Sequence, residues 1–270
     1  MKKIMTLAAM FAAVAMTFSA CNKENQPDNG GNGGGNNNTE ETCPDCGEAL
    51  EDCTCEALPE GAIKIDGNYD DWAALDQTKV AVAESNPDAP LKALKLMKAY
   101  ADDLFLYVYF EYDTEMVDME DWLPVHFYIN SDGNSATGGY ADHHLGADCD
   151  IMLEGGIIDA TAAPISYDAS LFFWEGADGE NGWEGWAGPD PNESNQWGAD
   201  IIGGMSEGAG ENGKYELSIF REFTTVTFAD TFYVGMDIQT NWESSGVLPN
   251  SAVTDENAGL AAKLAVTIDK

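Results

Sequence analysis

The chain is short of basic residues: 12 Lys and Arg stand against 48 Asp and Glu, a formal net charge of −36. Two of the 12, Lys2 and Lys3, lie in what reads as a removable leader, so the mature chain would carry 10 − 48 = −38. Such a field repels phosphate backbones, whose binding draws on Lys and Arg neutralisation and counterion release, so no nucleic-acid partner is expected. After the leader, no segment reaches the roughly 20 apolar residues of a membrane-spanning helix. Recognisable catalytic signatures are also missing. No GxSxG, HExxH, P-loop or GxGxxG stands in a suitable context, and 48 acids nominate no particular carboxylate pair, so a non-catalytic protein is expected. What is present is core-forming material. At 44% hydrophobic and 10% aromatic, the 270 residues suit one or two domains with a sizeable core and do not suit a disordered acidic chain.

Lys2-Lys3 followed by the apolar stretch Ile4 to Phe18 has the form of a signal peptide, residues 1–20. Phe18-Ser19-Ala20-Cys21 resembles a bacterial lipobox, which implies that Cys21 becomes the lipidated (palmitate-bearing) first residue of a mature lipoprotein held at the outer membrane by its anchor alone. Lys23-Glu24 resembles the acidic export signals of surface-exposed lipoproteins. Residues 22–42 hold seven Asn and five Gly with no hydrophobic residue, so residues 21–42 form a flexible tether with a reach of roughly 25 Å. Cys43, Cys46, Cys53 and Cys55 follow, a cluster assigned to residues 43–58. Four sulfurs suit tetrahedral zinc, but the second pair is CxC where CxxC would be expected, and outside the cytosol two disulfides are the rival; the spacing leaves both open. Cys149 stands alone between acids and reads as a buried, inert thiol.

Residues 59–270 read as an all-β domain, an antiparallel β-sandwich of jelly-roll-like form. Leu104 to Tyr112 is rich in aromatic and branched residues. Val125, Phe127 and Ile129 alternate with His126, Tyr128 and Asn130, and Leu217 and Ile219 alternate with Glu216 and Ser218. Phe232 to Ile238 and Leu264 to Ile268 add two runs, with Gly, Asn, Asp and Pro clustered between. Asp88 to Ala101, rich in Ala, Leu and Lys, is the one segment with a helical composition, and its C-terminal half runs toward a strand.

These residues carry a family resemblance. Ile63-Lys-Ile-Asp-Gly-Asn-Tyr-Asp-Asp-Trp72, Leu106 to Glu111, Phe127 to Gly138 with Gly146-Ala-Asp-Cys-Asp150, Tyr215 to Ile219 and Leu264 to Ile268 resemble, in order, motifs of the DOMON-like and family 9 carbohydrate-binding modules. The resemblance spans about 210 residues and implies the sandwich, with carbohydrate as the partner and without catalysis. Asn130 departs from it by replacing an Asp, and Cys149 by replacing an aromatic residue. DOMON-like cytochromes hold haem through Met and His. The domain has only His126, which alternates with a core-facing set, and His143-His144, which read as a solvated loop pair, so haem is not expected.

Two candidate sites remain. Asn130, Asp132, Asn134 and Thr137, joined by Asp148 and Asp150, place oxygens at calcium-loop spacing, although Gly is absent from loop position 6 and Ala141 stands at position 12. A turn capped by Asx and Thr side chains explains the same residues without an ion. Trp174, Trp183, Trp186 and Trp197 fall in a Gly-rich segment, and Trp242 lies at another strand end. Indoles stack on the C–H faces of sugars, so this group can form a glycan platform, with Trp183 and Trp186 the preferred contacts and Trp174 packed; a long loop also needs its own small core, and tryptophans covering the sandwich edge explain the same residues. A structural or protein-interaction lipoprotein, working with other envelope proteins, is the alternative.

Overall fold

A computed structural model describes residues 61–117, 122–140, 142–158, 166–187, 199–200, 206–211, 213–221 and 226–270. All belong to the unit Leu58–Lys270. Cys21, the tether, the cluster Cys43, Cys46, Cys53 and Cys55, and Trp197 lie outside the described residues.

After the short helix α1 (Asp70–Ala74), the chain runs through β1 (Ala81–Glu84), β2 (Leu94–Ala101), β3 (Phe105–Tyr112), β4 (Trp122–Asn130), β5 (His144–Leu145), β6 (Ile151–Ile158), β7 (Ser166–Trp174) and β8 (Trp186–Ala187). It continues through β9 (Ala199–Asp200), β10 (Ser206–Glu211), β11 (Lys214–Phe220), β12 (Thr231–Thr240), β13 (Glu243–Leu248), β14 (Ala261–Ala262) and β15 (Leu264–Thr267). One sheet has the order β1-β2-β3-β11-β10, and the larger has β13-β12-β4-β6-β7-β8, with β15 also on β12 and β9 on β7. Every pairing in these two sheets is antiparallel, and a small parallel pair joins β5 to β14. The domain is the expected all-β sandwich.

Period-two alternation sorts each strand between two environments. Met97, Val108, Phe110 and Leu217 of the smaller sheet meet Val125, Phe127, Leu153, Val234 and Met236 of the larger in one apolar core. The intervening residues face outward, and each sheet covers that outer face differently.

On the smaller sheet, Tyr100, Phe105, Tyr107 and Tyr109 form a second cluster with Ile63 and Trp72 from the N-terminal segment. Glu216 of β11, fully buried, fastens that segment down. Its Oε1 accepts the backbone N–H of Gly67 at 2.9 Å and of Asp66 at 3.2 Å, and Oε2 accepts the Trp72 indole N–H at 3.0 Å. The Ile-Asp-Gly turn and the following Asp-Trp are therefore tied by one carboxylate some 150 residues away.

On the larger sheet, Tyr128, Met152 and Phe172 pack with Tyr140, Cys149 and Trp186. Cys149 is a free, buried thiol, pushed up to about 12 chiefly by burial, which makes it the inert residue expected.

The helical composition of Asp88 to Ala101 does not make a helix. Asp88 to Pro90 turns, and Leu94–Ala101 is β2, paired along its length with β3 through a bulge at Leu94/Leu96. Leu94, Met97, Ala99 and Ala101 are fully buried there, and burial of this set outweighs helix propensities of only a few tenths of a kcal/mol per residue.

Candidate functional site

The polar positions of three neighbouring strands meet on the outer face of the larger sheet. Register sets Asp237 of β12 opposite His126 of β4, and His126 opposite Glu154 of β6. His126 Nδ1–H donates to Asp237 Oδ1 at 2.9 Å and Nε2–H to Glu154 Oε2 at 3.1 Å, so both ring nitrogens are donors, as only an imidazolium permits. Burial by itself would lower this imidazole, but the charges and hydrogen bonds of Asp237 and Glu154 outweigh it and raise it to about 9. Asp237 is fully buried; burial opposes its charge, yet His126, His143 and Gln239 together hold its carboxyl down at about 2. Gln239 Nε2 donates to Asp237 Oδ2 at 3.0 Å and Ser244 Oγ at 2.7 Å, and His143 Nε2 lies 3.2 Å from Ser244 Oγ. Every oxygen of the deepest carboxylate is thus satisfied, the condition under which a buried ion pair persists.

This row floors an open cavity of about 600 Å3, lined by His126, Tyr140, Asp142, His143, Glu154, Trp183, Gln239, Trp242, Glu243 and Ser244. Trp183 and Trp242 are 46% and 55% exposed at its walls. Trp183, in a single 3-10 turn at Trp183–Gly185, sets its ring edge-on to Tyr140 at 5.8 Å and to His126 at 6.1 Å. Trp242 stands at the tip of the β12–β13 hairpin, where Thr240 pairs with Glu243 and Asn241-Trp242 make the two-residue turn. Both turn residues have left-handed φ, 51° at Asn241 and 66° at Trp242, and Tyr140 has 54°. Such hairpins ordinarily take Asn-Gly, and a bulky residue in this region costs about 1 to 2 kcal/mol. Of the four non-glycine residues with left-handed φ among the described residues, two are therefore aromatic walls of this cavity and a third holds one of them.

Trp174 and Trp186 belong to packing. Trp186 is 8% exposed, lies outside the cavity lining and meets Trp174 edge-on at 5.3 Å. Its expected contact with ligand gives way to a place in the small core, because β8 pairs with β7 and turns the ring under Tyr140. Trp174 is half-buried, as expected, and the nearby glycines are its cradle: a Cβ on Gly139, Gly176 or Gly185 would lie within 2.1 to 2.5 Å of the indole.

His143-His144 is not a solvated pair. His144 is buried, its Nε2 is 3.1 Å from the Leu248 carbonyl, and its ring lies where a Cβ on Gly235 would approach to 2.4 Å. Burial, foremost, lowers it to about 3. His126, with both nitrogens donating to carboxylates, has no lone pair to offer a haem iron.

In the Asn130 loop the oxygens serve the turn. Asp132 accepts from Asn134 N at 2.7 Å and from Thr137 Oγ1 at 2.8 Å, while Asn134 Oδ1 accepts from Ala136 N at 3.1 Å. Asp150 Oδ2 accepts from Ser131 N at 2.8 Å and Ser131 Oγ at 3.0 Å. Asp148 accepts the Asn130 amide at 2.9 Å and pairs with the buried ammonium of Lys263, which also donates to the carbonyl of Gly146 at 3.1 Å. Lys263 thus places an ammonium against Asp148, the member of the set that a cation would need. Among the described residues no group of three His, Cys, Asp or Glu side chains is arranged to hold a metal ion.

Comparison with family models, curated proteins and solved structures gives no match to the chain. The site therefore stands on its own geometry.

Proposed function

We propose that the cavity is a non-catalytic glycan-binding site on a lipid-anchored envelope protein. The observation that carries the reading is the presentation of Trp242 and Tyr140 from strained backbone positions. Strain of this kind persists only where the surrounding structure over-determines it, and it concentrates at ligand sites. Exposed indoles at Trp183 and Trp242 offer faces for sugar C–H groups, and Glu154, Asp142, Gln239 and Glu243 supply hydrogen-bond partners for hydroxyls. A neutral glycan tolerates the acidic surface. The resemblance to carbohydrate-binding modules supports the same class, and the lipobox-like Phe18 to Cys21 supports the anchor.

A glycan array probed with the mature chain tests the binding reading, followed by titration of any hit while indole fluorescence is recorded. Saturable quenching that disappears in the Trp183→Ala, Trp242→Ala double variant is the expected result. An array without a hit, or a hit unaffected by the double variant, overturns it.

A further inference from the structure

Hydrogen-bonding and charge inventories of the cavity narrow its ligand. No Lys or Arg is among its lining residues, whereas Asp142, Glu154 and Glu243 bring three carboxylates to it. The one cation beneath it, His126, spends both N–H groups on Asp237 and Glu154, so it has no donor left for an anionic ligand. Two further donors on the floor are partly spent: Ser244 Oγ and one of the two Gln239 Nε2 N–H groups donate to Asp237. What faces the lumen is acceptor-rich. Glu154 has only Oε2 engaged with His126, Asp142 has Oδ1 engaged with Asn181, and Glu243 is exposed on the hairpin beside Trp242.

The three lining carboxylates, with no Lys or Arg beside them, favour a ligand that donates to them and carries positive charge. A hydroxyl can do either, a carboxylate or sulfate can only accept, and an ammonium can only donate. Indole faces at the walls add attraction for a positive charge lying over them within about 6 Å.

We infer that the cavity selects glycans carrying a free, protonated amino group, a deacetylated hexosamine unit, over their N-acetylated and acidic counterparts. The inference rests on the glycan reading above and specifies its substrate class. The amino group is set against Glu154 and Glu243 while the ring lies on the indoles of Trp183 and Trp242. N-acetylation removes the charge and adds a carbonyl acceptor to a site already full of acceptors.

The test uses the full mature chain and four tetrasaccharide probes of β-1,4-linked glucosamine, N-acetylglucosamine, glucose and glucuronate, titrated calorimetrically at mildly acid pH. Because the whole protein is acidic, Asp255→Asn, an exposed change outside the cavity lining, controls for general attraction. The glucosamine probe should bind at least about tenfold more tightly than the N-acetylated one. That ratio should shrink in Glu243→Gln, persist in Asp255→Asn and fall as salt rises. Glu154→Gln is a second arm, with its melting temperature recorded because Glu154 also holds His126. If glucose and N-acetylglucosamine probes bind as tightly as the glucosamine probe, the charge inference fails while the glycan reading stands. If Asp255→Asn shrinks the ratio as much as Glu243→Gln, the preference belongs to the surface and the inference fails. If no probe binds at the cavity and the array is also blank, both fail together.

Discussion

Replacing Trp242 with Gly separates a ligand contact from a structural one more sharply than any alanine substitution. Trp242 occupies the second position of the two-residue hairpin turn at φ 66°, a conformation that Gly adopts freely. Relief of the left-handed conformation returns about 1 to 2 kcal/mol. Against this, the indole is 55% exposed, so its remaining burial is worth about half of the 1.5 to 3 kcal/mol of a fully buried large side chain, and Gly raises the entropy of the unfolded chain by a comparable fraction. The terms nearly cancel. Trp242→Gly should therefore leave stability within about 1 kcal/mol of the parent, a shift of no more than about 4 °C for a domain of this size. Its effect on glycan binding should be large, on the order of 2 kcal/mol or thirtyfold, as for removal of an anchoring aromatic residue. Trp186→Ala should behave in the opposite way: at 8% exposure in the small core, it should cost about 3 to 5 kcal/mol of stability. Thermal melts followed by circular dichroism, paired with titration of a confirmed glycan, read both quantities. A Trp242→Gly protein that melts ten degrees early, or that binds as the parent does, would refute the reasoning.

Glu216→Ala should destabilise the domain by about 2 to 4 kcal/mol, because Trp72 Nε1–H and the N–H groups of Asp66 and Gly67 lose their acceptor; an unchanged urea midpoint would show that the N-terminal segment is not held by this carboxylate. Stability should peak near pH 6.5 and fall on both sides. His126, raised to about 9, contributes fully below its ordinary 6.5 and loses that contribution as pH rises through 9, while His144, lowered to about 3, and Asp237, lowered to about 2, lose theirs as pH falls toward those values. Melting curves across that range check it, and a His126→Gln protein should lack the alkaline decline. Lys263→Met should cost about 3 to 5 kcal/mol by stranding Asp148. Calcium should then restore part of the loss in the variant and leave the parent's melting temperature unmoved, and a clear calcium shift in the parent would contradict the place given to the Lys263 ammonium.

The sandwich is legible in the sequence wherever one face of a strand is apolar and the other is not. Val125, Phe127 and Ile129 announce β4 and its inward face before any partner strand is known, and the same alternation places His126 on the outer face. Composition misleads where it is the only guide. Ala, Leu and Lys in Asp88 to Ala101 favour a helix weakly, and nothing local reveals that Leu94, Met97 and Ala99 have a β3 edge to pair with. The glycines around Trp174 mislead in another way: as a string they suggest a flexible loop, but they are small because an indole lies against three of them.

Much less of the site is legible, because its parts are single residues joined by register. Asp237 is 111 residues from His126, and Glu154 is 28 residues from it. Each reads separately as one polar residue on an otherwise apolar strand. Their row exists only once β12, β4 and β6 are set side by side, since a slip of one residue would turn each of these side chains to the opposite face. The row also explains how an acid-rich chain keeps a defined carboxylate at a cavity wall. Without a cation beneath it, Glu154 would lie near Asp237 with only repulsion to place it; with the imidazolium between them, each carboxylate has a fixed partner and the sheet fixes the imidazolium. A lysine in place of His126 could neutralise the same charge, but its flexible stem would not direct two donors along opposite sides of a rigid ring. The geometry available to a ligand at Glu154 thus depends on a residue that the ligand need not touch, which is why histidine at this position carries information that its charge alone does not.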